Sequence, residues 1–186
     1  LQINSTMNMG GMSLLVTSAQ KDGKIATTVS MNGQVVDSRT YDGTKGTGAG
    51  MNGKRDLEGE ELNDLKEQAA FCKEANYISG GYKLTLKGLE DIGGNPAYII
   101  EAERPDGKKT TEYYDVKSSL KVREVSTVEG PDGPATMSND FSDYKETGGV
   151  LFPNTVTLSG IFPVPVKAVV TELKVNGGID DSVFKQ

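Results

Sequence analysis

Hydrophobic and polar residues follow two periods along this chain, and only one stretch shows the longer of them. In residues 56–77, Leu62, Leu65, Ala69 and Cys72 recur at spacings of three and four, so winding at 3.6 residues per turn stacks them into a single apolar stripe. The pattern predicts a helix over 56–77 with that stripe buried. Asp56 suits the N-cap, and Glu58, Glu60 and Glu61 crowd the first turn, where free N–H groups and the helix dipole favour negative charge. Asn76 and Gly80-Gly81 tolerate left-handed backbone and mark the end. Phe71 falls about 140° from the centre of the stripe by helical geometry, which makes it an expected interface residue.

Elsewhere the period is two. Residues 1–51 are punctuated by Asp22-Gly23, Asn32-Gly33 and Asp42-Gly43, pairs that supply the positive φ angles of tight hairpins and so predict an antiparallel meander. Ile25, Thr27, Val29 and Met31 give one mostly apolar face, and Ala26, Thr28 and Ser30 a small, polar one. Strands are predicted again over 82–87, 97–103, 109–116 and 120–128, separated by Gly93-Gly94, Asp106-Gly107 and a short link at 117–119. In the second of these, Tyr98, Ile100 and Ala102 share a face opposite Ile99, Glu101 and Glu103. A last set covers 135–146, 154–160 and 164–175, where Pro165 belongs near a strand start or on an edge. The fold class is therefore mainly β (α+β), a large antiparallel sheet of about nine to eleven strands with one helix across it. No linker interrupts residues 1–186, which read as one domain.

Composition narrows the function. A net charge of -6 and a pI near 4.8 argue against a nucleic-acid surface. No apolar run reaches the roughly eighteen residues that span a bilayer. The absence of histidine removes Ser-His-Asp and Cys-His sites, imidazole bases and HExxH zinc sites, so neither an enzyme nor a metal or cofactor site is expected. Gly48, Gly50 and Gly53 match G-x-G-x-x-G, but no buried strand precedes them and no βαβ unit follows, so a flexible loop is the better reading. Asp180-Asp181, and Asp140 with Asp143, lack a ligand pattern and read as surface or capping acids. The single cysteine, Cys72, reads as a small buried hydrophobe.

Met7, Met9, Met12 and Met31 crowd the first hairpins. Methionine is flexible and polarizable, suited to a cavity for variable acyl or peptide ligands and equally to filling core gaps. With Leu62, Leu65, Tyr98 and Ile100 these residues form the candidate ligand cavity.

From residue 113 onward the chain carries Tyr113-Tyr114-Asp115 with Ser119-Leu120, then Asp143-Tyr144-Lys145-Glu146, Gly149 and Phe152-Pro153, and finally Val175-Asn176, Ile179-Asp180-Asp181 and Phe184. Together with the Tyr41-Asp42-Gly43 turn, this order resembles the LolA/LolB-like outer-membrane lipoprotein-sorting superfamily, of the kind often joined to insulinase-type zinc peptidases in Bacteroidetes. The resemblance implies an incomplete antiparallel barrel around a central helix in its concave face, an apolar hollow for acyl chains, and a place in the bacterial periplasm or cell envelope. Two readings follow from it. One is a non-catalytic binding domain for a lipid, a lipoprotein acyl chain or an apolar peptide; the other is an accessory or docking domain of a zinc peptidase with no ligand of its own. The chain opens on Leu1 without methionine or a secretory leader, as a processed or truncated chain would.

Overall fold

The computed structural model describes residues 1–51, 53–130, 133–160 and 162–185. Strands β1 (Gln2–Met9), β2 (Met12–Lys21), β3 (Lys24–Met31), β4 (Gln34–Tyr41), β5 (Gly46–Gly50) and β6 (Gly53–Leu57) precede helix α1 (Gly59–Ala69). After it come β7 (Lys83–Ile92), β8 (Asn95–Glu103), β9 (Lys109–Asp115), β10 (Lys121–Gly130), β11 (Gly133–Thr147), β12 (Val150–Ser159) and β13 (Val166–Lys174). They pair as one 13-stranded sheet in the order β6-β5-β4-β3-β2-β1-β13-β12-β11-β10-β9-β8-β7, open in its pairing rather than closed into a barrel. The count exceeds nine to eleven because β5 and β6 lie where a flexible loop and the helix start were expected. By contacts the chain forms two compact units, one of Leu1–Lys73, Glu146–Val150 and Val169–Gln186, the other of Glu74–Lys145 and Leu151–Ala168.

In the first unit the hairpin signals act as their chemistry requires. Asp22 and Gly23, and Asn32 and Gly33, all have positive φ, so each pair closes a two-residue turn. Asp42-Gly43 differs: residues 42–45 join β4 to β5, and the Asp42 carboxylate accepts from the N–H groups of Thr44 and Lys45 at 2.7 Å each. The ladder places Ile25 opposite Tyr41, Tyr41 opposite Gly46, and Gly46 opposite Leu57. These residues share a face, and α1 packs there: Ile25, Leu57, Leu65 and Ala69 form a buried cluster with Tyr41 and Leu62 against it. A Cβ at Gly46 would come within 2.7 Å of the Leu62 side chain, and one at Gly48 within 3.1 Å of Leu57. The glycines of this stretch are thus strand positions where a helix and a leucine approach the backbone, which corrects the loop reading.

The helix is shorter than its periodicity predicts. Asp56 is held in β6 opposite Thr47, and the N-cap is Glu58, whose side chain makes no capping hydrogen bond. At the other end Ala70 leaves the helix, Cys72 takes a left-handed φ of 49°, and a short 3-10 turn follows at Lys73–Asn76. Cys72 is consequently exposed rather than part of the buried stripe. The reason is tertiary: Tyr77 is buried and donates a hydrogen bond to Glu112 of β9, a long-range contact that a continuous helix would have to forgo.

The opposite face of the first unit is covered by its C-terminal end. Ala19 sits across from Ala26, and Phe184 packs on both with Ile179 alongside. Phe184 belongs to a 3-10 turn, Asp181–Phe184, capped by the Asp180 carboxylate accepting from the Ser182 N–H at 2.7 Å. Lys21 fixes this segment through Asp181 at 2.9 Å and the Ile179 carbonyl at 3.1 Å. Asp180 and Asp181 are therefore cap and ion-pair acids, and Asp140 pairs with Arg123.

Because Leu65 is 3% exposed at the centre of the helix–sheet cluster, Leu65→Ala removes its methyl groups from a closed site. Urea unfolding is expected to show a loss of about 2–5 kcal/mol, the range for large-to-small core changes; a loss below about 0.5 kcal/mol would mean that the other helix face packs on the sheet.

Candidate functional site

Residues opposite one another in an antiparallel ladder point to the same side of the sheet, so register alone assembles a surface. In the first unit Met7 is opposite Leu14, Leu14 is opposite Met31, and Met9 is opposite Met12. Met7, Met9, Met12 and Met31 therefore share one face with Leu14. Ile25 stands six residues before Met31 on the regular β2–β3 ladder, so this is also the face on which α1 lies. The helix occupies the Ile25 end, with Leu65 in the core and Leu62 half-buried. The methionines occupy the other end, Met7, Met9 and Met31 half-buried and Met12 51% exposed.

Tyr98 and Ile100 belong to the second unit. There Leu84 is opposite Ala102, Leu86 opposite Ile100, and Leu89 opposite Tyr98. The register shifts between Leu86 and Gly88, and this bulge at Lys87 keeps Leu89 on the face of Leu84 and Leu86. The result is an apolar strip on a terminal strand of the sheet order, with Leu86 63% exposed and Leu84, Leu89 and Tyr98 exposed beside it. The three leucines were not singled out from sequence. Leu84 and Leu86 carry a readable alternation, and Gly88, an isolated glycine inside the strand with a φ of 139°, is the signal for the bulge that adds Leu89. Phe71 lies beyond the end of α1, outside the helical geometry used to place it, and is 44% exposed.

Next to this strip on the same face is a buried ionisable cluster. Glu112, opposite Ile100, is fully buried. It accepts hydrogen bonds from Tyr77, from Tyr114 at 2.7 Å and from Lys121 at 3.1 Å. Lys121 also pairs with Glu74, and with Glu124 at 3.0 Å, and lies 6.0 Å from the Tyr114 ring centroid and 5.9 Å from that of Phe141. Burial works against the Lys121 ammonium, but Glu124, Glu112 and Glu74 outweigh it and hold its pKa above the ordinary lysine value. Tyr77 is pushed up by burial and then by its bond to Glu112; Tyr114 is pushed up by burial, with Lys121 opposing. Burial takes Tyr144, which donates to the Lys121 carbonyl at 2.6 Å, up to about 12. This arrangement ties residues 74–77 to the sheet.

A shallow cavity of about 290 Å³ lies on the other face of the first unit, between Thr17, Ala19, Ala26 and Thr28 of the sheet and Gly177–Ile179 of the C-terminal segment. Among the described residues, no three of His, Cys, Asp and Glu stand where they could hold a metal ion, and no helix is long and apolar enough to cross a membrane.

No protein-family profile matches the chain, and no curated protein matches it in sequence. Solved structures do match in fold. A LolA superfamily protein from Nitrosomonas europaea aligns over 100% of this chain and 89% of its own, with 11% identity and a TM-score of 0.65. A domain from Vibrio parahaemolyticus named for outer membrane lipoprotein sorting aligns over 99% and 88%, with 12% identity and a TM-score of 0.66. A DUF1329 family protein from Desulfovibrio piger aligns over 99% and 88%, with 14% identity and a TM-score of 0.63. The chain has the LolA-like fold over nearly its whole length.

The buried cluster makes a pH prediction. Tyr77, Tyr114, Tyr144 and Lys121 all have raised pKa values, so the folded state holds protons that the unfolded chain releases near pH 10. Their stabilisation is complete below that pH and is lost as pH rises above it. Thermal midpoints are expected to fall steeply above about pH 10, and less steeply in Tyr77→Phe/Tyr114→Phe. Equal slopes for the two proteins would show that these tyrosines do not titrate with unfolding.

Proposed function

We propose that this chain is a non-catalytic binding domain for a hydrophobic ligand, the acyl chain of a lipid or lipoprotein or an apolar peptide, in the bacterial cell envelope. The observation that carries the reading is the gathering of Met7, Met9, Met12 and Met31 with Leu14 on one sheet face that α1 occupies only at its far end. Unbranched thioether side chains conform to a ligand of variable shape, and accessible apolar surface of this kind marks ligand or partner sites. The LolA-like fold supports the class of ligand, since one structure sharing it is named for lipoprotein sorting. The strip of Leu84, Leu86, Leu89, Tyr98 and Ile100 is a second apolar surface of the same character. Nothing in the fold or its neighbours favours an accessory role beside a zinc peptidase.

Titration with a dansyl-labelled fatty acid tests the reading. Binding is expected to saturate, and Met7→Gln/Met31→Gln, which keeps side-chain volume but adds a polar amide, should weaken it about tenfold, the scale of losing part of two buried apolar contacts. No saturable binding by the folded protein, or full binding by the variant, would overturn it.

We further propose, from its 44% exposure, that Phe71 also makes a contact outside the chain. Phe71→Ser is expected to change unfolding free energy by less than about 0.5 kcal/mol while lowering affinity for the probe or for a partner. A larger loss of stability would place Phe71 in the core.

A further inference from the structure

We propose that one rim of the first unit, formed by three hairpin tips, docks on a lipid bilayer surface. In an antiparallel meander the turns alternate between two ends, so the β1–β2, β3–β4 and β5–β6 turns gather at one end and the β2–β3 and β4–β5 turns at the other. Met31 is level with Leu14 and Gln34, whereas Gly50 is level with Asp37, so the successive tips step back evenly across the sheet and lie along one slanted line. Each tip carries an exposed large apolar side chain: Met12 at 51%, Val35 at 62% and Met51 at 95%. Leu15, linked to Val35 through Ser30, is exposed beside them.

The charge distribution separates the two ends. Segments 8–14, 30–35 and 48–54 contain one charged residue, Lys54, although the chain carries a net charge of -6; behind the third tip Asp37 stands opposite Gly50, its carboxylate 3.5 Å from the Arg39 guanidinium. At the opposite end the turns hold Lys21, Asp22, Lys24, Asp42 and Lys45. Bare apolar tips separated by Gly, Ser, Asn and Gln suit shallow insertion among lipid headgroups, and a lone lysine is compatible with an anionic surface. A protein partner would need a separate pocket matched to each tip, whereas a bilayer deforms around all three. The rim is also continuous with the methionine face: Met12 belongs to both, and Met9 lies directly across from it. An acyl chain leaving the bilayer would meet that pair first, so the docking surface gives the proposed hydrophobic-ligand site its source, and to that extent rests on that reading.

Co-sedimentation with vesicles of phosphatidylethanolamine and phosphatidylglycerol tests the docking. The protein is expected to sediment with vesicles and to remain bound in high salt, because the contact is apolar. Val35→Ser/Met51→Ser, which leaves the methionine face untouched, should bind vesicles about tenfold more weakly or worse with the thermal midpoint and fatty-acid binding in solution retained. Failure of the wild type to sediment, or equal sedimentation of the variant, overturns the docking and leaves the rim to a protein partner. Vesicle binding that depends on Val35 and Met51 in a protein that takes up no fatty acid supports the docking and removes the ligand reading instead.

Discussion

The register of the antiparallel ladders is the constraint from which the surfaces of this protein follow. Side chains alternate with period two, so fixing one cross-strand pair fixes the face of every residue on both strands. The uninterrupted pairing of β1, β2 and β3 carries Met7, Leu14 and Met31 to one side and Ala19 and Ala26 to the other. Where the period is broken, it is broken locally. The bulge at Lys87 returns Leu89 to the side of Leu86, and the shift between Lys121 and Arg123 lets Lys121 and Glu124 converge on Glu112. A single-residue slip anywhere in these strands would put methionines under the C-terminal turn and alanines under α1.

The two faces of the first unit solve different steric problems. Helix α1 is wide, and it reaches the sheet because Gly46 and Gly48 withhold side chains where Leu62 and Leu57 need the space. On the other side Phe184 needs only the small platform of Ala19 and Ala26. Glycine and alanine here act as packing residues. Lengthening Gly46 or Ala26 would push a cover off the sheet, not stiffen a loop.

Legibility from sequence followed the range of the forces involved. Local signals read well: Asp22-Gly23 and Asn32-Gly33 close their hairpins, and Leu65 and Ala69 form the buried stripe. The antiparallel order was also accessible, since alternation and turn residues are local in sequence; the LolA-like fold came only from the resemblance carried by residues 113–184. The helix ends were not. Asp56 looks like a cap but pairs with Thr47, and Cys72 continues the stripe but lies past the helix end at Ala69, in the link that leads to Tyr77 and its bond to Glu112. Methionine clustering pointed to a cavity or to gap filling; only register shows that the four lie on one sheet face. It also showed that Tyr98 and Ile100 belong with three unnoticed leucines.

The distribution of side-chain size makes a functional argument. Much of the core is built from small residues, Ala19, Ala26, Ala69, Ala97 and Ala102 among them, while Met12, Leu84, Leu86 and Leu89 remain exposed. Leaving these four long side chains exposed in a chain with 35% hydrophobic residues forgoes burial that would otherwise stabilise it. The second unit recovers cohesion through polar chemistry: a carboxylate with no exposed surface, two tyrosines and a lysine flanked by carboxylates fix the segment after the helix without using those leucines. Such a network is favourable only when each member is satisfied, and Glu112 receives donors from three sides. Register, small residues and a buried polar network hold the fold while Met12, Leu84, Leu86 and Leu89 stay exposed, and it is this exposure that the proposed ligand reading rests on.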